Sequence, residues 1–314
     1  MTARDLNHRA VRRFALPRAI VVATDMTDQD VLIPYIVSEA RRTGALILLV
    51  HATPYPADSA SLLFSPGAGD VRLDALENLE MMQKKIQRHG ISCSIKLSHQ
   101  EPAEAVQAAI RESSADRLIA GSRGRRNIQE MLLGSTARSF MSAIQVPMMF
   151  IGPNCRPAPD HSIRSILCLI SLQGDYEELA RFAFSVAEVH DARIALLHVL
   201  EATRKEDLNP ERTLQWTRTA LNHLIESYGR RKDHAVVSVE RGAFVAEALN
   251  AANLSAADLL ITGTRELVHH SPLRDGLAYQ LVAAAPMPVL CYRVNHAPAL
   301  DHVSHAGQSV TAHL

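Results

Sequence analysis

The feature that most restricts what this 314-residue chain can fold into is that it repeats itself once. The stretch Arg18-Ala-Ile-Val-Val-Ala-Thr-Asp25 is answered 146 residues later by Arg164-Ser-Ile-Leu-Cys-Leu-Ile-Ser171. Leu49-Val-His51 is answered 147 later by Leu196-Leu-His198, and Gly121 and Gly134 recur at a spacing of 142 as Gly263 and Gly276. A period this long is too great for a solenoid unit and describes two complete domains. The length agrees, since it gives room for about two domains of ordinary size.

Within each copy, short apolar runs alternate with longer amphipathic ones. In the first copy the strand candidates are Ala19–Thr24, Ala45–Ala52, Ile91–Ser98, Arg117–Ala120 and Val146–Ile151. Helices are expected between them: Asp70–His89, with Leu73, Leu76, Leu79, Met82 and Ile86 as its apolar stripe, then Glu104–Glu112 and Ala137–Ala143. Alternation of this kind implies parallel strands joined by right-handed crossovers. The fold class is therefore α/β, with two tandem doubly wound parallel five-stranded sheets. The expected division is an extension over 1–17, a first domain over 18–152, a proline-bearing linker over 153–162, a second domain over 163–295 and a disordered tail over 296–314. The fifth strands, Val146–Ile151 and Pro288–Arg293, are predicted sheet edges that invite strand addition, so the halves are expected to pair as an intrachain pseudo-dimer. A further homodimer is a possible second level of assembly.

Charge excludes some partners. With 33 Lys and Arg against 33 Asp and Glu and a pI near 7.3, the chain lacks a basic footprint for nucleic acid or an anionic membrane. No run reaches 18 continuous apolar residues, and the basic N-terminus lacks the apolar core of a signal peptide. The four cysteines have no metal-ligand spacing. A cytoplasmic protein is expected, with its cysteines as small buried hydrophobes and Cys155, in the linker, the one expected to be exposed.

Doubly wound sheets bind ligands at the carboxyl ends of their strands, where the strand order reverses. After the fourth strand comes Gly121-Ser-Arg-Gly124-Arg-Arg-Asn-Ile-Gln-Glu-Met-Leu-Leu-Gly134-Ser135-Thr136. Gly121 and Gly124 permit positive φ and close backbone approach, while Gly134-Ser135-Thr136 opens a helix with free N–H groups and two hydroxyls. This is an anion-binding design, suited to nucleotide phosphates at the positive end of a helix dipole. Arg123, Arg125 and Arg126 either add charge there or form a solvated loop. Asp25 is open to two readings, ligand contact or helix N-cap. No P-loop and no G-x-G-x-x-G follows the first strand.

The G-x-x-G, nine-residue, G-S spacing resembles the nucleotide-binding motif of the universal stress protein family. The likeness extends to Asn127-x-x-Glu130-x-Leu-Leu-Gly134-Ser135, to Val146-Pro-Met-Met-Phe150, to Thr24-Asp25 and to Leu48-Leu-Val-His-Ala52. It covers 18–152 fully and 163–295 as a weaker copy. The resemblance implies that Thr24 and Asp25 lie near the adenosine and that the backbone of Ala52 meets the adenine edge. It also implies that Gly121, Arg123, Gly124, Gly134, Ser135 and Thr136 surround ribose and phosphates. The ligand implied is ATP, or AMP or ADP, and the resemblance allows Mg bridging the phosphates. The function implied is sensing or signalling with little or no turnover, with no catalytic side chain and no protein metal ligand. The alternatives are a nucleotide-free interaction module and a slow ATP-hydrolysing enzyme.

The second copy departs from this pattern. Glu266 replaces the second glycine, Leu277-Ala278 replace the hydroxyls, and Ser171 stands where Asp25 stood. A carboxylate about 4 Å from a phosphate costs roughly 4 kcal/mol at an effective dielectric near 20, so this half is expected to be silent toward ATP. His51 and His198 end equivalent strands in both copies and are read as structural. The helix carrying Leu214, Thr217, Leu221, Leu224 and Tyr228 is read as core. The loop Thr53–Gly69 is long enough to cover a ligand.

Overall fold

The computed structural model describes residues 11, 13–53, 68–121, 135–156, 162–172, 174–200, 209–229, 232–264 and 272–294. In the first half, β1 (Ala19–Ala23), α1 (Gln29–Thr43), β2 (Leu46–Ala52), α2 (Ala68–Gln87), β3 (Cys93–Ser98), α3 (Pro102–Ser113), β4 (Arg117–Gly121), α4 (Ser135–Ala143) and β5 (Met148–Ile151) follow one another. The second half repeats the order. It comprises β6 (Ser165–Leu169), α5 (Tyr176–His190), β7 (Arg193–Leu200), α6 (Pro210–Tyr228), β8 (Ala235–Arg241), α7 (Phe244–Leu254), β9 (Leu259–Thr264), α8 (Pro272–Ala284) and β10 (Val289–Arg293).

The strands are nearly continuous apolar runs because both faces of the sheet are covered. Ile20 and Val22 of β1 face one apolar cluster with α1, α2, α5 and α6, while Val21 between them faces a second with α3, α4, α7 and α8. Each half is a five-stranded parallel sheet, β3-β2-β1-β4-β5 and its counterpart β8-β7-β6-β9-β10. The two do not remain separate sheets. β5 and β10 pair antiparallel, Phe150 opposite Val289 and Met148 opposite Cys291, and fuse them into one ten-stranded sheet. The expected intrachain pseudo-dimer is thus built through its fifth strands. These strands are buried on both sides of the joint, and pairing removes the two edges that would otherwise invite intermolecular addition.

Polar contacts tie the halves together across this joint. Arg293 Nη2 donates to the carbonyls of Met141 and Ser142 at the end of α4, at 2.6 and 3.2 Å. Through the start of the linker, Tyr35 Oη donates to the Arg156 carbonyl at 2.8 Å, and Asn154 Nδ2 donates to the Ala283 carbonyl of the second half at 2.9 Å. A buried charge cluster lies between α1 and α5: Arg117 Nη1 donates to Glu39 Oε2 at 2.5 Å, and His190 Nε2 lies 3.2 Å from Glu39 Oε1. Burial pushes the Glu39 carboxyl up, but His190 and Arg117 outweigh it and hold the group down at about 2, from an ordinary 4.5. Arg117 also caps the carbonyls of Phe14 and Ala15 in the N-terminal segment, while Arg13 pairs with Asp116.

Two sequence expectations change here and a third holds. In α2 the buried stripe is Ala75, Leu79, Met82 and Ile86; Leu73 and Leu76 are exposed, because at 3.6 residues per turn they project well away from that stripe. Cys155 is buried, not exposed: its sulfur accepts the Gly152 N–H at 3.1 Å, and Arg156 N–H donates to the Pro286 carbonyl, so the start of the linker is packed against the second half. The stripe on α6 behaves as core, with Thr217, Leu221 and Leu224 buried and Leu214 and Tyr228 packed against them. The segment 157–161, most of the loop Thr53–Gly69 and the tail 296–314 lie outside the described residues.

Candidate functional site

In the first half β1 pairs with β2 on one side and β4 on the other, so the chain departs in opposite directions from the carboxyl ends of β1 and β4. That divergence opens the crevice where such sheets take ligands. Four residues expected at the site meet at this edge: Thr24 and Asp25 after β1, Ala52 closing β2 and Gly121 closing β4. Ser135 and Thr136 begin α4, which returns the chain to the start of β5, so its N-terminus stands at the same edge. Both are exposed and are the first described residues of α4. Arg123, Gly124 and Gly134, with Arg125 and Arg126, lie outside the described residues.

The turn after β1 is tightly built. Thr24 N–H donates to the Val50 carbonyl at 3.1 Å, and Thr24 Oγ1 accepts the Met26 N–H at 2.8 Å. Asp25 Oδ1 accepts both the backbone N–H and the hydroxyl of Thr27, at 2.9 and 2.7 Å. Between them Met26 holds a left-handed φ of 67°, a conformation that costs a non-glycine residue about 1–2 kcal/mol. Asp25 therefore braces the turn, and the expectation that it caps the first helix is corrected. The N-cap of α1 is Asp28, whose carbonyl accepts from Val31 and Leu32 while its side chain makes no capping bond.

The Asp28 carboxylate instead lies over Gly121. A Cβ at position 121 would stand 1.8 Å from Asp28 Oδ2, so any side chain there requires the carboxylate to move away. The expected positive φ at Gly121 is not found; this glycine serves close approach, and the approaching group is a carboxylate of the chain itself. Sequence spacing gave no sign of this contact, because it joins two loops that only the sheet order brings together. His51 Nδ1 lies 2.8 Å from the Thr24 carbonyl, an acceptor, so that ring nitrogen carries the proton and fixes the carbonyl in place. His198 does the same to the Ile170 carbonyl at 2.7 Å. Both act structurally, as expected from their recurrence.

The second half differs at the equivalent edge. A Cβ on Gly263 would meet Leu179 Cδ2 at 3.3 Å and Val294 Cγ2 at 3.7 Å, so aliphatic groups stand where Asp28 stands in the first half. Asp175, the N-cap of α5, is exposed. α8 starts at Pro272, so Gly276, Leu277 and Ala278 lie past the first turn and their N–H groups are used inside the helix. Glu266 lies outside the described residues.

The family model described as the universal stress protein family matches residues 17–152 and 162–293. A universal stress protein from Archaeoglobus fulgidus DSM 4304 shares the fold at 16% identity and a TM-score of 0.64, over 88% of this chain and 98% of that one. A functionally unknown protein from Pseudomonas aeruginosa PAO1 does so at 15% identity and a TM-score of 0.60, over 90% and 94%. A universal stress protein from Archaeoglobus fulgidus in complex with dAMP covers 42% of this chain and 96% of its own, at 22% identity and a TM-score of 0.32. No curated protein matches the sequence. With both halves matched by the same model over most of the sequence, the chain belongs to the universal stress protein family as a tandem member.

Proposed function

We propose that the first half binds one adenine nucleotide, ATP or a related form, in the crevice between β1 and β4, and that the second half binds none. The protein then reports nucleotide state rather than turning nucleotide over. The reading rests on one contrast above all. The described part of first-half helix α4 opens with the exposed hydroxyls of Ser135 and Thr136, whereas the corresponding second-half residues are Leu277 and Ala278, inside α8. The likeness of the glycine-rich segment to the family motif supports the ligand class, with Arg123, Gly124 and Gly134 proposed as phosphate neighbours and the Ala52 backbone as the adenine contact. A divalent ion such as Mg would enter on the phosphate oxygens, as magnesium commonly does.

The test is to denature freshly purified protein by heat and quantify the released nucleotides by chromatography, followed by calorimetric titration with ATP and magnesium. One nucleotide per chain is expected. Two per chain would refute a silent second half; no release and no binding would replace this reading with a nucleotide-free interaction module. Turnover near 10 per second, an ordinary enzymatic rate, would refute the sensing role.

A further inference from the structure

The crevice contains one charged group that neither the glycine motif nor the family likeness accounts for, the carboxylate of Asp28. Asp28 is only 7% exposed, its backbone does the capping of α1, and its side chain is laid over the Cα of Gly121. A ligand that reaches Gly121 at the end of β4 meets this group. A carboxylate accepts hydrogen bonds and repels anions, so it selects donors.

An adenine nucleotide has few donors: the exocyclic amine of the base and the hydroxyls of the ribose. The strand order decides between them. Ala52 ends β2, Gly121 ends β4, and β1 lies between, so the two are separated by two strand spacings, about 10 Å. With the base against Ala52, the sugar is the part that reaches β4. We propose that Asp28 reads the ribose: its carboxylate accepts a hydrogen bond from a sugar hydroxyl, and its charge turns the phosphates away from Gly121 toward the start of α4. This rests on the nucleotide reading above. The second half lacks the device, since Leu179 faces Gly263 and Asp175 is exposed.

The test compares binding of ATP, 2′-deoxy-ATP and 3′-deoxy-ATP to the full chain by calorimetry, with magnesium and with chelator, in wild type, Asp28→Asn and Asp28→Ala. Loss of one hydrogen bond to a charged acceptor is worth about tenfold or more. At least one deoxy analogue is expected to bind wild type about tenfold more weakly than ATP, and Asp28→Ala to bring the two within about twofold. Asp28→Asn keeps the shape and one acceptor oxygen and is expected to fall between. Equal binding of all three nucleotides by wild type would overturn the proposal, as would discrimination that survives Asp28→Ala. A defect in Asp28→Asn seen only with magnesium would overturn it by assigning the carboxylate to a cation. Failure of wild type to bind any of the nucleotides would instead remove the nucleotide reading, and this proposal with it. Urea denaturation of each variant checks that folding is retained.

Discussion

The two halves of this chain share strand order, helix order and even the strand-end histidine that clamps a carbonyl, yet their carboxyl edges are chemically opposed. In the first half a carboxylate lies over Gly121 and α4 carries the exposed hydroxyls of Ser135 and Thr136; in the second, Leu179 packs toward Gly263 and α8 carries Leu277 and Ala278 instead. A duplicated fold can keep its strand and helix order while the residues at its carboxyl edge diverge.

The largest expected effect tests whether the halves are independent enough to be compared at all. Glu39 of α1 is buried between Arg117 of its own half and His190 of the other. Glu39→Gln removes the charge that both partners face and is expected to destabilise the chain by about 3–5 kcal/mol in urea denaturation, the cost of breaking a buried pair. The folded-state carboxyl is held below its ordinary 4.5, near 2, so its contribution is fully present above about 4.5 and is lost as pH falls through that window. Wild type should therefore lose stability between about pH 5 and pH 2 more steeply than Glu39→Gln. Equal slopes would break the claim that this cluster joins the halves electrostatically.

The next effect bears on the site contrast directly. Gly121→Ala places a methyl where Asp28 Oδ2 now lies, 1.8 Å away, and must expel the carboxylate; Gly263→Ala places one 3.3 Å from a leucine methyl that can give way. ATP affinity is expected to fall about tenfold to a hundredfold, roughly 1.4–2.7 kcal/mol, in Gly121→Ala and to stay within about twofold in Gly263→Ala. Similar affinities for the two variants would dissolve the contrast.

Much of this was legible in the sequence because local pattern and global arrangement coincide. Runs such as Ile20-Val-Val22 need cover on both faces, so their alternation with amphipathic segments already specifies a parallel sheet. The repeat pointed to two copies of one unit, matched at residues 17–152 and 162–293, and Gly121 and Gly263 fall at the carboxyl ends of β4 and β9. What was not legible depends on contacts between distant segments. Leu73 and Leu76 are apolar and near helical spacing, but only the position of α2 over the sheet selects Ala75, Leu79, Met82 and Ile86 as the inner face. The pairing of Glu39 with His190, the burial of Cys155 and the contact of Asp28 with Gly121 each need the assembled sheet, and no local periodicity encodes them.

The smallest effect separates structure kept in both halves from function kept in one. His51 and His198 each donate Nδ1–H to the carbonyl just beyond the first strand of their half, Thr24 and Ile170. Replacing either by Ala leaves one carbonyl without its partner, and each is expected to cost about 1 kcal/mol in urea denaturation, the usual net value of such a bond. The two costs should agree within a few tenths of a kcal/mol if the device is purely structural. Nucleotide affinity should distinguish them, because Thr24 borders the crevice while Ile170 borders an edge lined by Leu179: His51→Ala is expected to weaken ATP by a few-fold and His198→Ala not at all. A matching loss of affinity in His198→Ala would mean that the second half reports to the site through the shared sheet, and the division into one binding half and one silent half would have to give way to a coupled pair.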